Sequence, residues 1–241
     1  MRRMMPHGKG AANRPRSGMS RRRARRTARA LPLLALLALL AACARERPPS
    51  GQPDRQPAAS GREVAQCLAS LRENRSGFST VPDRAFGEGC AISGAVALSS
   101  LGGDDGQIAL SNLGPVACPL AAKFGAWARF GVDRAARQIL GSPVERIETM
   151  GSYACRNVAG TGRRSAHSQA RAVDVAGFTL ADGRRISVLR DWNEGTEAER
   201  LFLRTVHRSV CRRFGTVLGP DYNAAHRDHL HIEEGSGSFC R

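Results

Sequence analysis

Two short stretches of this sequence read SAHSQARAVD, at residues 165–174, and HRDHLH, at residues 226–231. They contain four of the six histidines of the chain, namely His167, His226, His229 and His231. His229 and His231 flank the apolar Leu230. A strand at this point would therefore aim both imidazoles to one side and bury Leu230 behind them.

The first stretch continues into an apolar segment, and residues 173–180 are predicted to form a strand. In such a strand Asp174 shares a face with Ala172 and Ala176, so its carboxylate projects from a face of small side chains. His167 lies seven residues before Asp174. Only a turn between these two residues would bring both side chains onto one metal ion.

Two imidazole nitrogens and one carboxylate oxygen form the ligand set of many catalytic zinc sites, whose fourth position holds water. Zinc in such a site activates its water and polarises a carbonyl, which is the chemistry of a hydrolase. A proton acceptor must lie beside that water, and the spacing offers Asp228 and His229. A structural site closed by a fourth protein ligand, with His226 as the candidate, is the alternative.

The remaining elements follow from the pattern of apolar residues. Helices are predicted from residue 61, over 119–140 and over 197–213, and strands over 91–101, 144–150, 173–180, 186–192, 216–218 and 229–233. Asp182-Gly183 predicts a hairpin turn between two of these strands. Interspersed helices and hairpins favour a single α+β domain over residues 61–241, with a mainly antiparallel sheet, rather than a parallel doubly wound sheet. His207, on the last helix, is interpreted as an ordinary surface histidine.

The amino-terminal 42 residues have the order of features of an export signal. A basic cluster at residues 21–26 precedes an apolar run from Leu31 to Ala42, which is too short to cross a ~30 Å hydrocarbon core as a helix. The sequence Leu-Ala-Ala-Cys that ends at Cys43 resembles a bacterial lipobox. Residues 1–42 are therefore predicted to be a lipoprotein signal peptide, with Met19 as a possible start, and Cys43 to be lipidated; a plain signal peptide with an incidental cysteine is the alternative.

Residues 43–60 are rich in proline and charge, and they are predicted to be a flexible tether between the lipid and the domain. The six other cysteines form an even number in an exported chain, which predicts three disulfides of open pairing. They are Cys67, Cys90, Cys118, Cys155, Cys211 and Cys240. A site of four cysteines around zinc is disfavoured because no two cysteines have the CxxC spacing.

The net charge of +16 is typical of a nucleic-acid-binding protein, but its distribution disfavours that class. Eleven of the 37 basic residues and none of the 21 acidic residues lie in residues 1–42, so the rest of the chain carries only about +5. We therefore expect no nucleic-acid partner.

The two stretches also resemble known motifs. Residues 165–174 resemble the SxHxxGxAxD signature of the zinc D,D- and L,D-peptidases of the D-Ala-D-Ala carboxypeptidase and hedgehog group, and residues 229–231 resemble the HxH motif of murein endopeptidases. More closely, residues 67–232 resemble the bacterial extensin-like C-terminal domain. Its landmarks here are Cys118-Pro119 and residues 151–156, 174–178, 219–226 and 228–231.

The resemblance implies a hedgehog/D,D-peptidase-like fold with one Zn2+ per chain. It makes His167, Asp174 and His231 the zinc ligands. His229 becomes the base or transition-state stabiliser, with Asp228 in second place. Arg156 resembles an arginine that binds a substrate carboxylate, a task that suits a planar guanidinium; a structural arginine beside a disulfide is the alternative. Ala170 replaces the usual glycine, which matters if this position requires a positive φ.

From these features we expect a zinc-dependent hydrolase that acts on peptide bonds of peptidoglycan, as a carboxypeptidase or an endopeptidase. The export signal predicts a lipoprotein that faces the periplasm, anchored by its lipid in the outer membrane of a Gram-negative bacterium. The alternative is a non-catalytic lipoprotein that binds the cell wall or a protein and whose metal site is structural or vestigial.

Overall fold

The structure is a computed structural model that describes residues 59–241. The predicted signal peptide, the lipidation site Cys43 and the tether up to residue 58 lie outside the described residues. Within the described part of the chain, no helix is both long and apolar enough to cross a membrane.

A mixed sheet of ten strands forms the frame of the domain, and a separate pair of strands lies outside it. The strands are β1 (Gly77–Val81), β2 (Arg84–Gly87), β3 (Cys90–Ile92), β4 (Ala95–Gly102), β5 (Gln107–Ser111), β6 (Pro115–Ala117), β7 (Val144–Gly151), β8 (Ala172–Leu180), β9 (Arg185–Ser187), β10 (Thr216–Leu218), β11 (Leu230–Glu233) and β12 (Phe239–Cys240). The main order is β1-β4-β5-β7-β8-β11-β10-β12, with β6 on β4 and β9 on β8, while β2 pairs with β3 alone. Among the strands of residues 59–241, only the β5–β7 and β10–β12 pairs are parallel.

Four α-helices accompany the sheet: α1 (Gly61–Glu73), α2 (Cys118–Trp127), α3 (Val188–Asp191) and α4 (Glu197–Cys211). Capping boxes begin α1 at Ser60 and α4 at Thr196. Helix α2 continues in π-helical turns over Ala128–Asp133 and Ala136–Leu140 and ends at Gly141, whose φ of 73° is the left-handed conformation of a helix terminus. The predicted α+β class with a mainly antiparallel sheet is confirmed.

Three disulfides join distant parts of the domain, as predicted. They pair Cys67 with Cys118, Cys90 with Cys155, and Cys211 with Cys240. The first attaches α1 to α2, and the third attaches the end of α4 to the edge strand β12. The second attaches β3 to the loop that follows β7.

Two strand predictions were wrong in part. The predicted strand over 91–101 is broken at Gly94, which has a φ of 55° and donates its N–H to Asp83 Oδ1 at 2.8 Å. The predicted strand over 186–192 ends at Ser187, because the Asp191 carboxylate accepts the Ser187 N–H at 2.7 Å. The Ser187 hydroxyl also caps α3, so local hydrogen bonds compete with the strand.

Aromatic side chains form the centre of the core. Phe178 of β8 is fully buried and makes edge contacts with Trp127 of α2, at a centroid distance of 6.5 Å, and with Phe202 of α4, at 5.3 Å. Phe178 therefore joins the strand that carries Asp174 to two of the helices that cover the sheet.

Replacing Phe178 by alanine is expected to lower the free energy of unfolding by about 3–5 kcal/mol, because it leaves a cavity among buried rings. Urea unfolding followed by tryptophan fluorescence measures this loss. The control is Phe86→Ala, whose ring is 51% exposed and should cost less than about 1 kcal/mol. Equal losses in the two variants would contradict the assigned core.

Candidate metal centre

Three elements bring the predicted ligands together. His167 lies on a single 3-10 turn, Ala166–Gln169, which begins at Ser165. Asp174 lies on β8, and His231 lies directly opposite it on the neighbouring strand β11. In the same register the apolar Leu230 pairs with Val175 and is fully buried. Leu230 therefore holds β11 to the core, while its neighbour His231 turns to the other face of the sheet.

The ligand atoms of these three residues lie within 4.8 Å of one another. His231 Nδ1 lies 2.7 Å from Asp174 Oδ1, and His167 Nε2 lies 3.2 Å from Asp174 Oδ2. The two imidazole nitrogens are 3.2 Å apart. Zinc–ligand bonds of about 2.0–2.1 Å in a tetrahedron separate the ligand atoms by about 3.3 Å, so these spacings fit a zinc ion.

The outer nitrogen of each imidazole has a partner that can only accept a hydrogen bond. His167 Nδ1 donates to the Ser152 carbonyl at 3.2 Å, and His231 Nε2 donates to Glu233 Oε1 at 2.9 Å. In the neutral imidazoles the lone pairs of the inner nitrogens therefore point at Asp174. Three acceptor atoms that meet without a donor between them form a site for a cation, and outer partners of this kind are typical of metal-bound histidines.

The same atoms can also hold a proton, which then forms the hydrogen bonds between Asp174 and the two imidazoles. Burial would raise the pKa of Asp174, but its hydrogen bonds with His167 and His231 hold that pKa well below the usual range. Burial would lower the pKa of His231, but the carboxylates of Asp174 and Glu233 outweigh this effect and raise the pKa to about 9. The two carboxylates thus favour a positive charge at this point.

The two predicted catalytic residues lie next to this ligand set and contact each other. His229 Nε2 is 3.6 Å from Asp174 Oδ1, and His229 Nδ1 donates to Asp228 Oδ1 at 2.8 Å. The Asp228 side chain is 36% exposed and that of His229 only 12%. Asp228 therefore lies behind His229 and orients its ring, with the Nε2 atom toward the centre.

His226 is not part of the group of three ligand atoms found among residues 59–241. Its Nδ1 donates to Asn223 Oδ1 at 2.7 Å, and its ring centroid lies 5.2 Å from that of His229 and 5.8 Å from that of His231. Burial, followed by the charges of His229 and His231, lowers the pKa of His226 to about 4. His226 is thus a neutral neighbour of the centre rather than a fourth ligand in this structure.

Arg156 lies in the exposed loop after β7, next to the Cys90–Cys155 disulfide. Its charge contributes to the lowered pKa of His226. Its backbone carbonyl accepts the Ser165 N–H at 3.1 Å. Within the described range of the chain, no carboxylate lies within ion-pair distance of Arg156, which leaves its charge for an external anion.

Ala170 ends the turn that carries His167. It is fully buried and has a φ of 54° and a ψ of 29°, so this position adopts the left-handed conformation that favours glycine. Its N–H donates to the carbonyl of His167. The chain therefore carries the strain of an L-residue at this point.

Glu233 and Ser152 are site residues that the sequence analysis missed. Glu233 follows His231 by two residues, so both side chains lie on the same face of the strand. This two-residue spacing could have identified Glu233 from the sequence. Ser152 contributes through its backbone carbonyl, which leaves no signal in the residue type. A cleft of about 730 Å3 is lined by Glu233, Ser165 and Ala166 among others, but by none of His167, Asp174 and His231.

A second group of three possible ligands occurs in the described chain, formed by His207, Cys211 and Cys240. His207 Nε2 lies 3.8 Å from Cys211 Sγ and 3.9 Å from Cys240 Sγ. The His207 ring packs perpendicular to Trp192 at a centroid distance of 5.5 Å and is half-buried. The interpretation of His207 as an ordinary surface histidine was therefore wrong.

The sequence model of the family described as "Extensin-like protein C-terminus" matches residues 65–241. No curated protein and no solved structure gives a significant match to the chain.

Ala170→Gly is expected to be less destabilising than Ala172→Gly by about 1–2 kcal/mol. Both alanines are fully buried and both variants lose a methyl group, but only Ala170 is left-handed. Only the first variant therefore relieves backbone strain. Urea unfolding of the two proteins measures the difference, and equal losses would show that the turn is not strained.

Glu233→Gln is expected to weaken Zn2+ binding by about 10–100-fold, because the outer partner of His231 loses its charge. Competition with a chromophoric chelator measures the affinity. The matched control is Glu234→Gln: its carboxylate pairs with Arg171 at 3.0 Å, away from His231, and its loss should leave zinc affinity unchanged. The same weakening in both variants would argue against the assigned role of Glu233.

Proposed function

This chain belongs to the family of the extensin-like protein C-terminus, and we propose that it is an exported zinc-dependent hydrolase that cleaves peptide bonds of peptidoglycan. The observation that carries the proposal is the convergence of His167 Nε2, Asp174 and His231 Nδ1, with an oxygen acceptor at the outer nitrogen of each imidazole. His226 bonds to Asn223 instead of closing the set, which favours the open site of an enzyme over a structural site.

His167, Asp174 and His231 would hold the ion, which when bound would activate water and polarise a carbonyl. His229 is the proton acceptor in this proposal, because its Nε2 faces the centre while its Nδ1–H is held by Asp228. The Asp228 carboxylate fixes the tautomer of His229 and stabilises the imidazolium that forms when His229 takes up a proton. His229 then delivers this proton to the amine that leaves.

Arg156 supplies the selectivity for a substrate that carries a carboxylate. Arg156 is exposed, and its charge acts on His226 beside the centre. A free α-carboxylate close to the scissile bond is the group of a stem peptide that a planar guanidinium binds in a bidentate manner.

The proposed location is the periplasmic side of the outer membrane, where a lipid on Cys43 would hold the domain near the cell wall. The support for this part is the order of basic cluster, apolar run and lipobox-like sequence. Three disulfides are typical of an oxidising compartment, so they agree with an exported domain.

The test is incubation of the purified protein with muropeptides, with and without a chelator, followed by mass spectrometry of the products. We expect cleavage that the chelator abolishes and added Zn2+ restores. His167→Ala should lose both zinc and cleavage. His229→Gln should retain one zinc per chain but cleave about 10²–10⁴-fold more slowly, because only the proton acceptor is removed.

His207→Gln is the control for the loss of a histidine, since His207 belongs to the other cluster and should cleave at the wild-type rate. Unchanged muropeptides despite one bound zinc per chain would overturn the enzymatic proposal and favour the alternative of a lipoprotein that binds the cell wall or a protein. A wild-type protein that binds no zinc would overturn the metal centre itself.

A further inference from the structure

The second cluster lies at the carboxyl-terminal end of α4 and shares no residue with the proposed centre. His207 and Cys211 are four residues apart and face the same side of the helix. Cys240 reaches them from β12, and it forms a disulfide with Cys211. All three side chains are half-buried, so the cluster is accessible from solvent.

The His207 ring is oriented as a metal ligand would be. Its Nε2 faces both sulfurs. The ring packs perpendicular to Trp192, which holds it in this orientation.

The distances around His207 already match those of a tetrahedral site. Bond lengths of about 2.3 Å to sulfur and about 2.0–2.1 Å to nitrogen give edges of about 3.6 Å between nitrogen and sulfur and about 3.8 Å between two sulfurs. The two observed nitrogen–sulfur distances are 3.8 and 3.9 Å. Only the sulfur–sulfur separation must increase, by about 1.7 Å from the covalent length.

The chain can absorb that change at Cys240. It belongs to a two-residue strand at the edge of the sheet, which among the described strands pairs with β10 alone. Neither of the other two disulfides forms such a group with a third ligand among residues 59–241. The first of them is also buried, since Cys67 is 4% exposed and Cys118 is 0% exposed.

We propose that the Cys211–Cys240 disulfide masks a second metal site, which opens when a dithiol reduces the disulfide and which binds a thiophilic cation through His207 and the two thiolates. The dithiol supplies two electrons and two protons and is itself oxidised to a disulfide, while the sulfur–sulfur bond breaks to give two thiols. The two thiols release their protons to solvent when the cation binds. Two thiolates neutralise a divalent ion, so the cluster needs no carboxylate beside the neighbouring Arg204 and Arg208.

The test uses Co2+ as the probe, because only thiolate ligands give it an intense charge-transfer absorption in the near ultraviolet. The proposed zinc centre has no sulfur ligand, so this signal is independent of the function proposed above. The full chain is reduced with a dithiol under native conditions, and alkylation with mass spectrometry identifies the cysteines that have opened. We expect the absorption in the reduced protein and its absence in the oxidised protein.

Two variants assign the signal to this cluster. The double variant Cys211→Ser/Cys240→Ser retains every other cysteine and should lose the absorption under the same reduction. His207→Gln retains both thiols and should bind Co2+ more than about tenfold more weakly. Loss of a residue that only hydrogen-bonds to a metal ligand already costs at least that much affinity. An undiminished signal in the double variant, or an unchanged affinity in His207→Gln, would overturn the proposal.

Failure of the disulfide to open before the protein unfolds would also overturn it, because the site would then not exist in the folded chain. Circular dichroism of the reduced protein separates this outcome from simple absence of binding.

Discussion

The pairing of β8 with β11 is the constraint on which the candidate centre depends. Val173 and Val175 face Ile232 and Leu230 across this pair, and all four are fully buried. Because side chains alternate along a strand, burying these four residues forces Asp174 and His231 together on the opposite face. A slip of one residue would exchange the two faces and place a carboxylate and an imidazole in the apolar core. The free energy of core packing therefore specifies the geometry of the polar site.

Much of this arrangement could be predicted from sequence because it depends on local periodicity. The alternation around Asp174 and around Leu230 predicted both strands, and the capping box at Thr196 predicted α4. The prediction over residues 188–192 failed because the hydrogen bonds of Ser187 and Asp191 outweigh the apolar pattern. The surroundings of His207 were not predictable, since Cys240 lies 33 residues further along the chain and only the fold brings it there.

The two clusters differ in their burial and in the change that each must undergo to bind a cation. The cluster of His167, Asp174 and His231 is mostly buried, and its residues come from three separate segments of the domain. The cluster of His207, Cys211 and Cys240 is half-exposed and joins a helix to an edge strand of two residues. The first cluster is thus preorganised for a cation, whereas in the second cluster the disulfide must be reduced before a cation can bind.

The wide separation of the first ligand set along the chain has a thermodynamic consequence. His167 and His231 are 64 positions apart and meet only after β8 and β11 have paired, so the unfolded chain offers no comparable site. Any cation that binds there therefore acts as a ligand of the native state alone. At a free concentration 100 times its dissociation constant, such an ion would add about 2.7 kcal/mol to the free energy of unfolding. The metal concentration in the surrounding compartment would then determine the stability of the folded domain as well as the occupancy of the site.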